Sequence, residues 1–312
     1  MNTTPRVDTA TYRRWRDYLE QSTGIALGEE KGYLIETRLA GLLERTGVAD
    51  FAALLDLIRK DEQRYRQEVI DALTTHETTW FRDESPFAAV ADHLLPAFAR
   101  ELAAGERQRL RFWCAACSTG QEPYSLAITL LEYAERHPEF PLDRVSLLAT
   151  DISTRAVAHA RAGVYTDLEI SRGLSPQRRE RFFDKVGNRW AIKPTVRRLV
   201  EYRPYNLMDD LSPLGTFDVI FCRYVAIYFA PPVKRRLLQA LRDVLRPGGY
   251  LFLGTTESPA SPRALDLLPE KLAGAPCFRA GEPTPAAAPE MKGMDPARIA
   301  ADMARIRELL ES

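Results

Sequence analysis

Two hydrophobic rhythms divide the chain. Through residue 85 apolar positions return every three or four places, as in Leu34, Ile35, Leu39, Leu42 and Leu43, the spacing that lines one face of a helix. This predicts helices over Tyr12–Gln21, Lys31–Glu44, Asp50–Arg59 and Gln63–Leu73, with Thr23-Gly24 and Thr46-Gly47 as stops. From about residue 86 the apolar positions fall instead in short continuous runs, Leu110–Ala115, Val145–Thr150, Phe217–Cys222 and Tyr250–Gly254. Such runs suit strands buried on both faces. Helical patterns over Tyr124–Arg136, Thr154–Ala162 and Pro232–Leu245 lie between them. Strand and helix in alternation predict an α/β domain built on a mostly parallel, Rossmann-like sheet.

The rhythm is broken twice. Residues 174–205 offer a helix over Gln177–Phe183 and short strands over Arg189–Ile192 and Leu199–Arg203, which reads as an insertion in the sheet domain. Pro276–Ala280 suits a last edge strand, and the Pro/Ala-rich GEPTPAAAP that follows reads as a linker. Beyond it, Asp295-Pro296 caps a helix that carries Ile299, Met303, Ile306 and Leu310 on one face, a stripe that needs its own domain, a partner or a second copy to cover it. The expected division is a helical domain and linker (1–85), a sheet domain (86–281, insertion about 174–205), a linker (282–294) and an amphipathic helix (295–312).

Composition adds limits. Hydrophobic content of 45% and charged content of 28% are ordinary for a water-soluble protein. No apolar run is long enough to span a bilayer and no leader-like apolar segment opens the sequence, so a cytoplasmic protein without membrane insertion is expected. The 4 cysteines are too few for a disulfide scaffold. Net charge is zero but unevenly spread. Between residues 172 and 198 stand Arg172, Arg178, Arg179, Arg181, Lys185, Arg189, Lys193, Arg197 and Arg198, opposed only by Glu180 and Asp184. Such a cluster either attracts an acidic partner or is a solvated surface.

In a doubly wound sheet, ligands bind beyond the carboxyl ends of the strands. After the first strand comes Ser118-Thr119-Gly120-Gln121-Glu122-Pro123, where Gly120 permits a tight turn and Pro123 suits the start of a helix. It lacks the glycines that seat a pyrophosphate, and Glu122 would repel phosphate while suiting an ammonium group. Asp151, after the second strand, is placed to accept from both hydroxyls of a ribose, or else to cap the next helix. Together these describe a nucleoside that carries an amine and no diphosphate, a description S-adenosylmethionine fits. The WCAAC preceding the turn is spelled like a thiol-disulfide site. Cys114 and Cys117, three apart on a strand, would face opposite sides, and Cys222 and Cys277 form no ligand pair, so neither redox nor metal chemistry is expected.

TTHETTWFRD (74–83), FWCAACSTGQEPYSLAI (112–128), LLATDIS (147–153), FDVIFCRYVAIYF (217–229) and LRPGGYLFLGTTES (245–258) together resemble the CheR family. These are S-adenosylmethionine-dependent methyltransferases that esterify glutamates of bacterial chemotaxis receptors, releasing S-adenosylhomocysteine. The resemblance, over roughly residues 12–280, implies a helical N-terminal domain, a class I methyltransferase sheet and a small antiparallel subdomain inserted in it. It implies cofactor contacts from His76, Thr78, Arg82, Glu122, Asp151, Asn206, Leu207, Arg223 and Tyr224. Arg82 would fork onto the methionyl carboxylate, Glu122 take the amino group, Asp151 the ribose and Asn206 the adenine edge. His76 and Thr78 would close the pocket from the linker, and Arg223 and Tyr228 would orient the acceptor carboxylate. The expected partner is a glutamate-rich receptor helix, met by the basic segment 172–198; nucleic acid is not expected. The family usually has Asn where His76 and Tyr224 stand. Those two rings leave room for another protein or a small acid as acceptor, or for a cofactor-binding sensor without turnover.

Overall fold

The structure, a computed structural model, describes residues 5–29 and 31–281. Five helices open the chain: α1 (Thr9–Thr23), α2 (Gly32–Arg38), α3 (Ala40–Thr46), α4 (Phe51–Lys60) and α5 (Glu62–Leu73). Their apolar faces meet around Trp15, Leu19, Ile35, Leu39, Leu54 and Ile58, all fully buried. Asp8 and Asp50 cap α1 and α4 by accepting from the backbone N–H groups of Thr11 and Ala53, the third residue of each helix, and Gly24 and Gly47 end α1 and α3 in left-handed conformation. The single helix expected over Lys31–Glu44 is two, because the backbone turns at Leu39 (φ −103°, ψ 1°). Hydrogen bonds continue through the bend, so the apolar spacing gives no sign of it.

After α6 (Ser85–Ala89) and α7 (Leu95–Ala103) the sheet domain follows the order β1 (Leu110–Ala115), α8 (Gln121–Arg136), β2 (Val145–Asp151), α9 (Thr154–Ala162) and β3 (Val164–Thr166). Then come α10 (Asp167–Ser171), α11 (Pro176–Phe182), β4 (Phe183–Val186), β5 (Arg189–Ile192), α12 (Pro194–Arg197) and β6 (Val200–Pro204). β7 (Phe217–Phe221), α13 (Pro231–Asp243), β8 (Leu245–Phe252), β9 (Leu267–Leu272) and β10 (Ala275–Ala280) complete it. The large sheet runs β6-β2-β1-β7-β8-β10-β9, parallel from β6 to β8 and antiparallel at β10 and β9. Strand order reverses at β1, so the crevice between β1 and β7 is where this topology leaves room for a ligand. α8 and α9 cover one face over Phe112, Leu147 and Val219, while α13 covers Ile220 and Leu251 on the other.

Three expectations are corrected. Leu199–Arg203 does not belong to the insertion: it is β6, the outer strand of the large sheet, paired with β2. The insertion's own sheet is β3-β5-β4, which draws its third strand from before residue 174. The last strand is not the edge, because β9 lies outside it; Pro269 within β9 is tolerated there, since an edge strand can spare an N–H. The segments expected as linker (282–294) and C-terminal helix (295–312) lie outside the described residues.

The basic segment is also less basic than its sequence. Arg172 pairs with Glu77, Arg178 grips Glu132 through two bonds of 2.9 and 2.8 Å, Arg181 pairs with Glu135 and Lys193 with Asp184. Glu77, Glu132 and Glu135 lie outside the segment, so a local count of charges misses them.

The helical layer is joined to the sheet through α5 and the linker. The Gln67 amide donates to the Ile152 carbonyl at 2.9 Å, and the Thr154 hydroxyl to Asp71 at 2.9 Å. The linker is anchored by Trp80, whose indole N–H donates to the Glu169 carbonyl at 3.1 Å while its ring meets Tyr165 and Phe183 edge-on at 5.0 and 5.1 Å. Emptying that socket removes a fully buried aromatic. Trp80→Ala is therefore expected to lower unfolding free energy by about 3–5 kcal/mol, whereas Tyr33→Ala, at a residue 57% exposed, should stay within about 0.5 kcal/mol of wild type. Urea midpoints with unchanged slope would measure both.

Candidate active site

The turn from β1 into α8 is held in an unusual shape. Ala116 (φ 59°), Ser118 (φ 52°) and Gly120 (φ 98°) are all left-handed, and the Cys117 N–H donates to the Thr150 carbonyl at 2.8 Å. A side chain on Gly120 would lie 2.8 Å from the Ala160 methyl, so glycine is required by packing as well as by φ. The turn starts α8 at Gln121 and places Glu122 in its first turn.

Asp151, at the end of β2, accepts from the Ser118 N–H at 2.8 Å and from the Ser153 N–H at 2.9 Å, one on each oxygen. Ser153, not Asp151, caps α9 by accepting from the Ala156 N–H. Asp151 is thus freed for the cleft, and its two backbone donors set the direction of the carboxylate. Burial raises its carboxyl above the usual range, against the Ser153 N–H and the neighbouring His76. His76 is pushed the other way, its imidazolium disfavoured by burial and favoured by Asp151; its Nε2 lies 3.0 Å from the Thr74 hydroxyl.

Arg223, just beyond β7, has a side chain only 1% exposed. Its Nη1 donates to Glu122 at 2.9 Å, and its Nη2 donates to Asp83 at 2.5 Å and to the Arg82 carbonyl at 2.7 Å. Burial raises the Glu122 carboxyl, opposed by Arg223 and then Arg82. The guanidinium of Arg82 lies 3.5 Å over the ring of Tyr224, whose hydroxyl donates to Asp83 at 2.5 Å. Tyr224 itself is left-handed at φ 60°, uncommon for a ring-bearing residue.

All ten residues expected at the site line one cleft of about 240 Å³. His76, Thr78 and Arg82 come from the linker, Glu122 from the first turn of α8 and Asp151 from the end of β2. Asn206 and Leu207 follow β6, and Arg223, Tyr224 and Tyr228 follow β7. Two of them are engaged differently than expected. Arg223 is not free to meet an acceptor, because its charge is buried behind Glu122 and Asp83; it holds Glu122 in place. The Asn206 amide donates to the Ser22 carbonyl at 2.9 Å and its oxygen accepts from the Met208 N–H at 3.1 Å, so it ties the layers together at the cleft wall. Tyr228 stays open at the mouth, 39% exposed.

The structure also brings in residues that the sequence did not single out. Ile25, Leu27 and Leu34 of the helical layer form an apolar wall, and Asp83 completes the charge cluster. The buried Ser118 hydroxyl and the Nε of Arg223 have no hydrogen-bond partner among the described residues. Asp83 adjoins Arg82 in the quoted motif, and Ser118 stands in the turn, so both were within reach of a reading that asked for partners. The apolar wall carried no such signal. The thiols of Cys114 and Cys117 are wholly buried, and burial drives both far above the normal thiol range, so neither is a thiolate near neutrality.

As a donor set, the cleft offers two carboxylates, an Arg82 guanidinium without an ion pair among the described residues, and an unpartnered hydroxyl. This chemistry suits an S-adenosylmethionine: an ammonium and a carboxylate at one end, a diol further along and an apolar-walled base. A nucleotide phosphate is disfavoured by the two carboxylates.

Known proteins resemble this chain over most of its length. Residues 76–269 match the family model described as CheR methyltransferase, SAM binding domain, and residues 10–74 match the CheR methyltransferase all-alpha domain. A chemotaxis protein methyltransferase of Vibrio parahaemolyticus is 47% identical over 249 residues, 79% of this chain and 88% of the relative. Chemotaxis protein methyltransferase 1 of Pseudomonas aeruginosa is 44% identical over 250 residues, 80% of this chain and 90% of the relative. With both family models matched in order and the cleft lying between them, the chain belongs to the CheR methyltransferase family.

Proposed function

We propose that this protein transfers the methyl group of S-adenosylmethionine to glutamate side chains of chemotaxis receptors, forming methyl esters, and acts in the cytoplasm. The observation that carries the reading is the cleft itself: two buried carboxylates and the Arg82 guanidinium, which has no ion pair among the described residues, face one space at the carboxyl ends of β1, β2 and β7. The names of the relatives supply the chemotactic context. No helix among the described residues is long and apolar enough to cross a membrane.

When bound, S-adenosylmethionine supplies an electrophilic methyl on a sulfonium. The chain's task is to hold and shield. Glu122 would take the amino group and Arg82 the carboxylate, the latter with a fork pre-aligned by the Tyr224 ring. Asp151, fixed by two backbone donors, would take the ribose hydroxyls, and Leu207 with the Ile25–Leu27 wall would cover the base. A glutamate acceptor with a pKa of about 4.3 is already ionised at neutral pH, so no general base is needed. What remains is to orient the acceptor oxygen and strip it of water. Tyr228, at the mouth, is placed for that contact, while Arg223 acts by positioning Glu122. The cations left over in the basic segment, such as Lys185 and Arg189, supply a modest attraction for an acidic receptor helix.

Incubation with methyl-labelled cofactor and a receptor cytoplasmic domain should yield base-labile ester on glutamates; tight cofactor binding with no ester on any carboxylate acceptor would favour a sensor instead. Glu122→Gln keeps the side chain's size but removes its charge, and should raise the dissociation constant for S-adenosylhomocysteine about 10- to 100-fold in calorimetry. Cys117→Ala should leave the methylation rate within about twofold of wild type, since that thiol is neutral and buried.

A further inference from the structure

Beyond the cleft, a carboxylate that lines none of it binds the loop that carries three of the expected site residues. Glu257 stands in the turn after β8, only 6% exposed, and no ion pair among the described residues uses it. Among the described residues its carboxylate accepts from three backbone N–H groups. Oε2 accepts from Tyr224 at 2.5 Å and from Gly254 at 2.7 Å, and Oε1 accepts from Ile227 at 3.1 Å. Its own N–H donates to the Gly254 carbonyl at 2.8 Å, which closes the turn and holds the side chain pointing back at the loop.

The loop between β7 and α13 therefore wraps around a buried negative charge. Tyr224 lies in the left-handed region, where a Cβ-bearing ring residue is strained, and the bond from its N–H to Glu257 is the backbone contact that ties it there, beside the hydroxyl bond to Asp83. Gly254 permits the approach: a Cβ at that position would sit 2.6 Å from the Glu257 carboxylate and 2.9 Å from the Tyr224 ring. One residue before the held turn is Arg223, which grips Glu122; the turn residue carries the ring beneath Arg82; one residue beyond Ile227 is Tyr228 at the mouth. Two of the three backbone donors on this buried carboxylate, Tyr224 and Ile227, lie in the loop, and the bonds at those two points set the direction of all three side chains. A charge-assisted bond is stronger than a neutral one, and each donor would be orphaned without it.

We infer that Glu257 is a positioning residue for methyl transfer, which sets the 223–228 loop so that Arg223 keeps its hold on Glu122, Tyr224 supports Arg82, and Tyr228 stands at the mouth. This rests on the function proposed above. Because the loop serves both sides of the cleft, its loosening should register in cofactor affinity and in turnover at once.

Glu257→Gln is the informative variant. An amide has one accepting oxygen, so whichever way it turns, at least one of the Tyr224, Gly254 and Ile227 N–H groups is left facing an NH₂. The full-length variant should bind S-adenosylhomocysteine about tenfold more weakly in calorimetry. Its kcat for receptor methylation should fall by a similar factor, at a temperature where circular dichroism shows it folded. A drop in melting temperature with wild-type affinity and wild-type kcat would mean that Glu257 serves stability alone, and would overturn the inference. Should Glu257→Gln unfold, Glu257→Asp carries the same comparison, because it keeps the charge but falls short of the full set of donors. Wild-type protein that binds no S-adenosylhomocysteine would remove the function on which the inference rests, an outcome distinct from a variant that behaves like wild type.

Discussion

A guanidinium withdrawn from water organises this molecule. Burying the charge of Arg223 is tolerable only because two carboxylates and a carbonyl surround it, Glu122 from α8, Asp83 and the Arg82 carbonyl from the linker. Arg223 and its partners come from three separated stretches of sequence, so the ion cluster fastens the end of β7 to the start of α8 and to the strap joining the helical layer. Removing one partner of such a buried set typically costs about 3–5 kcal/mol. The same pairing leaves Glu122 directed at the cleft. Stability and ligand chemistry therefore draw on the same contacts.

Around that cluster the backbone is repeatedly left-handed. Ala116, Ser118 and Tyr224 line the cleft, and Phe81, Asp83 and Glu84 belong to the strap beside it. For residues with a Cβ each such position costs about 1–2 kcal/mol, and that strain persists only where neighbours over-determine it. The neighbours here are specific. Asp151 holds Ser118, the Ser125 hydroxyl accepts from the Phe81 N–H at 2.9 Å, and Glu257 holds Tyr224. Buried carboxylates and one buried hydroxyl convert an uncomfortable backbone into a rigid rim. A rim of this kind suits a reaction that asks for alignment and exclusion of water more than for proton transfer.

The two rings at His76 and Tyr224 take their meaning from this frame. Tyr224 does more than replace a small amide, since its face supports Arg82 and its hydroxyl reaches Asp83. His76 sits beside Asp151 with its charged form disfavoured by burial. Both place a ring in the cleft wall.

By itself the sequence determined the alternation of elements, because helical and strand periods are local properties of the chain. It located β1, β2 and β7 and the end of β8, whose first five residues the apolar run did not show, together with the turn at Gly120 and the carboxylates Glu122 and Asp151, which sit next to strand ends that can be recognised from apolar runs. It also carried the family resemblance, since motifs keep their order whatever the fold does with them. Only the tertiary structure decided what meets what. The bend at Leu39, the place of β6 in the large sheet and the covering of β10 by β9 all depend on partners distant in sequence. The basic segment reads as a bare positive patch until Glu77, Glu132 and Glu135 are brought against it. Arg223 reads as a residue open to substrate until Asp83 and Glu122 enclose it, and Glu257 reads as one more acid until three backbone N–H groups converge on it. Periodicity reports which face of an element is buried. Pairing of charges and orphaned donors is settled only when chain segments far apart in sequence share one low-dielectric space.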